Sequence, residues 1–250
     1  MIRTASICVL ACSFGYANAA DLVVHSTVAA RDIVEHLRPE FENRTGYRLI
    51  VEYGSGAEVQ KRAEAGVTFD VLIIPKPGMM ILSKEGVTTG SGKPIGVAHL
   101  VIAYKHGEIP PAVDTPENVK VTIERATSFA MSDPAKGGLG PVFLTTTAKS
   151  LGVEEVLRMK TRLAKAGEAG KEVAESRAQY GVAQTTEISQ LKGRVDGAHL
   201  LPSDPRSMTV FMAAVASRAP NGTVAEKFVD LLTSPEHAKW RQEEMGFSEH

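Results

Sequence analysis

Apolar positions fall in short runs whose period switches along the chain. Leu22, Val23 and Val24 form a first run, and Ile33, Val34, Leu37 and Phe41 then recur at the three- and four-residue spacing of one helix face. Gly46 follows as a helix stop, since glycine readily takes the left-handed conformation that ends helices. Leu49, Val51 and Tyr53 alternate with Ile50 and Glu52, the two-residue period of a strand. A helix is predicted over about 57–65, stopped by Gly66, and the run Val71 to Ile74 is apolar throughout, as in a fully buried strand. Strands alternating with helices predict parallel β-α-β units, whose crossovers are right-handed and whose ligands sit at the carboxyl ends of the strands.

The pattern then breaks and resumes. A Gly/Pro-rich stretch at 91–94 precedes a predicted strand over 99–104. Further strands are predicted at 128–131, near Leu163 and at 180–183, with helices from about 139, over 153–159 and over 171–177. A second break at 200–204 precedes the apolar strand 210–216 and two closing helices. The last of these has a strong start signal in Ser234, Pro235 and Glu236. The expected architecture is α/β with two lobes, residues 20–94 plus 205–250 and residues 95–204, joined by two crossings with a ligand cleft between them.

Residues 1–19 read as a segment removed before folding. Arg3 supplies a positive charge, Ile7 to Phe14 a short apolar core, and Ala17-Asn18-Ala19 a cleavage signature. Both cysteines, Cys8 and Cys12, lie there, so the mature chain is expected to have no disulfide or thiol nucleophile. Export to the periplasm is the expected localisation. With 28 basic against 29 acidic residues and no basic block, a nucleic-acid partner is not expected. No later stretch is apolar enough for a membrane span, and a monomer is expected.

The candidate chemistry lies in turns. His25-Ser26-Thr27 follows the first strand, Gly54-Ser55-Gly56-Ala57 the second, and Ser132-Asp133-Pro134-Ala135-Lys136-Gly137-Gly138 joins a strand to a helix in the other lobe. Gln184-Thr185-Thr186-Glu187 repeats the arrangement more weakly. Any one of these is explained by ordinary helix capping. Three at strand ends in two lobes predict convergence of helix N-termini, whose free N–H groups and partial positive charge suit an anion. The histidines have no metal-ligand spacing, and there is no nucleophile elbow or phosphate loop, so neither a metal nor a cofactor is expected. His25, at the first turn, is a candidate for moving a proton.

From HSTVAARDIVEHLRPEFENRTGYRLIVEYGSGAEVQ through SDPAKGG to the closing helices, the chain resembles periplasmic molybdate-type solute-binding proteins of the type 2 periplasmic-binding fold. The resemblance implies a small anionic ligand and an ABC transporter permease as partner. It implies oxyanion contacts by Ser26 and Ser55 and by the backbone of Ala135, Lys136, Gly137 and Gly138, with Thr27, Gly56, Ala57 and Thr185 beside them. The chain has Gln184 where molybdate binders usually have tyrosine. The SDPAKGG turn also resembles the aconitate isomerase-like branch. That resemblance implies Lys136 and Arg31 as carboxylate partners, and His25 or Glu187 as the proton-handling group.

Overall fold

The computed structural model describes residues 20–136 and 138–248, so the predicted leader and Gly137 lie outside the described residues. The first half of the fold follows the predicted alternation. It runs β1 (Asp21–Thr27), a 3-10 turn (Val28–Ala30), α1 (Arg31–Thr45), β2 (Arg48–Gly54), α2 (Gly56–Glu64), β3 (Val71–Pro75) and α3 (Lys76–Lys84). Strands β1, β2 and β3 pair in parallel with β1 in the middle. Gly46 ends α1 in the left-handed conformation, its N–H donating to the Glu42 carbonyl. The long strand β4 (Lys93–Lys105) follows.

The chain continues as α4 (Pro116–Arg125), β5 (Phe129–Ser132), a 3-10 turn (Pro134–Lys136), α5 (Leu139–Ser150), α6 (Glu154–Lys160), β6 (Thr161–Ala164) and α7 (Ala169–Ala174). Then come β7 (Tyr180–Gln184), α8 (Thr185–Ile188), a 3-10 turn (Ser189–Leu191), β8 (Val195–His199) and β9 (Met208–Val215), with α9 (Gly222–Thr233) and α10 (Ala238–Glu243) closing the chain. The strand order is β2-β1-β3-β9-β4-β7-β5-β6, with β8 also paired to β4. Among the described residues, no helix is long and apolar enough to cross a membrane.

Separate buried clusters on the two halves of the sheet mark out the lobes. The first lobe buries Leu22, Val24, Ile33, Leu37, Phe41 and Phe228 on one face of its strands, and Val59, Phe69, Leu72, Ile74, Met79 and Leu82 on the other. The second buries Leu100, Ile102, Ile123, Phe129, Leu144 and Val182. Strand β4 belongs to both. Its residues 93–99 pair with β9, and residues 100–105 pair with β7 and β8. The Gly/Pro stretch read as a break is therefore partly strand, and its irregularity shows as a register shift between Pro94 and Gly96.

Elements without a predicted counterpart have local reasons. Helix α4 begins with Thr115, whose side chain accepts from the Asn118 N–H at 3.2 Å, and Pro116 follows in the first turn. Helix α3 starts directly from β3 at Pro75, leaving no loop to mark the change of period. The Ser234 signal starts a 3-10 turn (Pro235–His237), from which α10 continues.

A buried carboxylate ties the first lobe together. Asp70, 1 % exposed, accepts from the Val23 N–H at 2.9 Å and from the Asn221 N–H at 2.8 Å, joining β1 to the start of α9. Removing it strands two partly buried donors, and a donor left unpaired on burial costs about 1–3 kcal/mol. Asp70→Ala should therefore lower the unfolding free energy by about 3 kcal/mol in urea titrations, with Asp70→Asn intermediate. An Ala variant within 0.5 kcal/mol of wild type would mean that water or neighbouring groups replace the carboxylate.

Candidate functional site

Helix starts from both lobes converge on one cavity. From the first lobe it is lined by Thr27, Val28 and Ala29 after β1, by Gly54, Ser55 and Gly56 between β2 and α2, and by Pro75 and Phe211. From the second lobe come Ser132, Gly138, Gly140 and Pro141 around the start of α5, Ala166, Gly167 and Ala169 before and within α7, and Val182, Ala183, Gln184 and Glu187. The cavity has about 50 Å³ open to a water-sized sphere, within about 580 Å³ of free space that includes its mouth. A single water needs about 10–15 Å³ of such space, so the inner part suits a group of few heavy atoms.

Ser55 caps α2, accepting from the Glu58 N–H at 3.2 Å, while the Glu58 carboxylate accepts from the Ser55 N–H at 2.8 Å. Gly138 occupies the same position on α5. A side chain there would press on Ser132, whose Oγ lies 2.9 Å from where a Cβ would stand. The positive ends of two multi-turn helices thus face one space. Thr27 is 3 % exposed, and its Oγ1 has no hydrogen-bond partner among the described residues. A buried hydroxyl without a partner is costly, and one at a cavity wall is completed by whatever fills the cavity.

Of the lining groups, Glu187 alone among the described residues is ionisable. Its Oε2 accepts from the Gln184 N–H at 2.9 Å. Burial pushes its carboxyl up to about 7; the Gln184 hydrogen bond opposes this and Asp32 adds to it. Asp32, from the first turn of α1, is also held above the usual carboxylate range by burial, although it accepts from Ser189 Oγ at 3.3 Å across the lobes. Gln184 turns its amide to Thr209 Oγ1 at 3.2 Å. Among the described residues no group of three His, Cys, Asp or Glu side chains could hold a metal ion.

Thr27, Ser55, Gly56, Gly138, Gln184 and Glu187 are brought together, but other expected residues are not. Ser26 alternates away from Thr27 along β1; it is fully buried, and its hydroxyl donates to the Thr27 carbonyl at 3.1 Å. His25 lies outside the lining too. Its ring packs 5.1 Å from Phe69, with Nε2 3.5 Å from the Glu52 carboxylate. Arg31 stacks its guanidinium over the Tyr53 ring at 4.9 Å. Ala57 is exposed on α2, and the Ala135 N–H donates to Asp133 at 3.0 Å. Thr185 Oγ1 donates to the Gly246 carbonyl at 2.5 Å, fastening α8 to the C-terminal segment. Lys136 contributes backbone to a 3-10 turn, and its side chain lies outside what is described.

The Ala166-Gly167 loop was missed, though a signal existed. It is a further small-residue turn between a strand and a helix, with Gly167 at φ +77°. A Cβ on Gly167 would stand 3.5 Å from Val28 of the other lobe, so the loop closes that side of the cleft.

Residues 22–247 match the bacterial extracellular solute-binding proteins, and the chain belongs to that family. It is 24% identical to an aconitate isomerase from Pseudomonas sp. over 225 residues, which is 87% of this chain and 84% of that protein. The periplasmic molybdate-binding protein of Azotobacter vinelandii superposes with a TM-score of 0.70 at 18% identity, covering 91% of this chain and 98% of the other. The sulfate-binding protein of Mycobacterium tuberculosis does so with a TM-score of 0.66 at 15% identity, covering 91% and 86%. These structural likenesses establish the type 2 periplasmic-binding fold.

His25 has a consequence for stability. Burial lowers its affinity for a proton, with Arg62 adding to the effect and Glu52 opposing it. The unfolded chain therefore takes up a proton at higher pH than the folded protein, and stability contributed above pH 6.5 is lost as pH falls. Between pH 7 and pH 5 the wild type should lose more thermal stability than His25→Leu. Parallel melting curves would show that the folded imidazole titrates like a free one.

Proposed function

We propose that the chain captures a small anion in the cleft between its lobes, in the periplasm, and hands it to an ABC transporter. The observation that carries this reading is the convergence of the N-termini of α2 and α5 on a cavity lined also by Thr27, whose buried Oγ1 has no hydrogen-bond partner among the described residues. Donor N–H groups, hydroxyls and helix ends hold an anion without a lysine or arginine in contact. Lobe closure around the anion would exclude water and strengthen each contact. The small enclosed volume supports a compact oxyanion, or one carboxylate group of a larger acid.

A second reading has its own support. An aconitate isomerase moves a proton across an allylic system while the double bond shifts, and needs a group that exchanges protons near neutrality beside the substrate. Glu187, at the cavity wall with its carboxyl pushed up to about 7, is such a group. The likeness to the Pseudomonas isomerase favours this reading further. A six-carbon tricarboxylate would extend from the inner space into the mouth of the cleft.

Isothermal titration of the mature protein with molybdate, sulfate, cis-aconitate, trans-aconitate and citrate tests anion capture. Thr27→Val, which removes the hydroxyl and keeps the shape, should weaken the tightest of these about tenfold, the worth of one buried hydrogen bond. An unchanged Kd would remove Thr27 from the site. A proton NMR time course of trans-aconitate with catalytic protein separates the readings. Appearance of the cis isomer, abolished by Glu187→Gln, makes the protein an enzyme; a static spectrum leaves passive capture.

A further inference from the structure

The cavity contains a contradiction that an anion must resolve. Its helix ends and hydroxyls favour negative charge, yet the one ionisable lining group among the described residues is a carboxylic acid. Glu187 cannot turn away, because its Oε2 is held by the Gln184 N–H at 2.9 Å, at the first turn of α8. Its Oε1 has no partner among the described residues and lies 3.9 Å from the Cβ position of Gly167, on the cavity side. Asp32 approaches from the opposite lobe, so a second carboxylate already faces it.

Resting on the anion reading above, we propose that Glu187 holds a proton when the site is filled and donates it from Oε1 to an oxygen of the anion. Capture then takes up one proton from solvent. The site also prefers an oxygen that only accepts hydrogen bonds, because a ligand hydroxyl placed there would bring a second donor against the Glu187 O–H. Two ionised oxygens at hydrogen-bond distance in a cleft shielded from water repel strongly, whereas a neutral carboxyl supplies a charge-assisted hydrogen bond.

The surrounding groups leave this role to Glu187. On α1, Arg31 is engaged with Tyr53 and Asp32 with Ser189. On α7, Lys171 is exposed and Glu172 pairs with Arg177. The flanking Lys165 is exposed, and Glu168 acts on Arg177. On β4 and β8, His99 bonds Ser248 at 2.9 Å with His199 beside it, and Asp196 pairs with His106. The 3-10 turns Val28–Ala30 and Ser189–Leu191 carry no ionisable side chain. The upward displacement of the Glu187 carboxyl agrees with this geometry.

Two measurements test the proposal. In the ligand-free protein, carbon NMR of labelled glutamate side chains should show one carboxyl titrating near neutrality, and that signal should vanish in Glu187→Gln. Titration of every glutamate in the ordinary carboxylate range overturns the proposal whatever the protein binds. Calorimetry with sulfate and with trans-aconitate at pH 8, in Tris and in triethanolamine, should give close to one proton taken up by the wild type and none by Glu187→Gln. Wild-type affinity should fall about fivefold from pH 7 to pH 8, as expected for one linked proton, while that of the Gln variant stays level. Binding without proton uptake overturns the proposal. Absence of binding to either probe counts against anion capture itself, and the NMR titration then decides the state of Glu187 alone.

Discussion

Strand β4 is the constraint on which the arrangement depends. Thirteen residues long, it pairs with β9 in the first lobe and with β7 and β8 in the second. Because one hydrogen-bonded strand passes through both cores, the lobes cannot slide freely past one another. A strand shared in this way is suited to bending about the crossing, the kind of hinge used by proteins that close on a ligand. The crossing also fixes what faces what, placing the start of α2 opposite the start of α5. The C-terminal segment reinforces this side, with Thr185 bonded to the Gly246 carbonyl and Ser248 paired to Val97.

On the facing side the two lobes meet through small residues and acids. Gly167 approaches Val28, and Ser189 donates to Asp32. One of these contacts is apolar and the other a single hydrogen bond, a slighter junction than the packed cores. They also account for the electrostatics of the site. Asp32 and Glu187 are partly withdrawn from water beside this junction, and burial is the first cause of the upward displacement of both carboxyls.

Family membership and chemistry come from different observations. Residues 22–247 place the chain among the bacterial extracellular solute-binding proteins, and structures below 20% identity share its fold. That fold serves many ligands, so the ligand must be argued from the site. Here two helix ends, one acid and a hydroxyl without a partner among the described residues define the site.

The sequence by itself determined the α/β alternation, the helix stop at Gly46 and the strand-to-helix turns at Thr27, Ser55 and Gly138, because period, capping and glycine chemistry are local. It also marked Gln184 and Glu187 as neighbours of the site. It could not determine which side of a turn faces the ligand. His25, Ser26 and Thr27 are consecutive, yet only Thr27 reaches the cavity, since strand alternation and the packing of Phe69 send the other two elsewhere. Nor could it bring in the Ala166-Gly167 loop, whose place depends on where β6 lies in the sheet. The proton affinity of Glu187 was likewise decided only by tertiary structure, because desolvation and the approach of Asp32 exist only once residues more than a hundred positions apart are packed together.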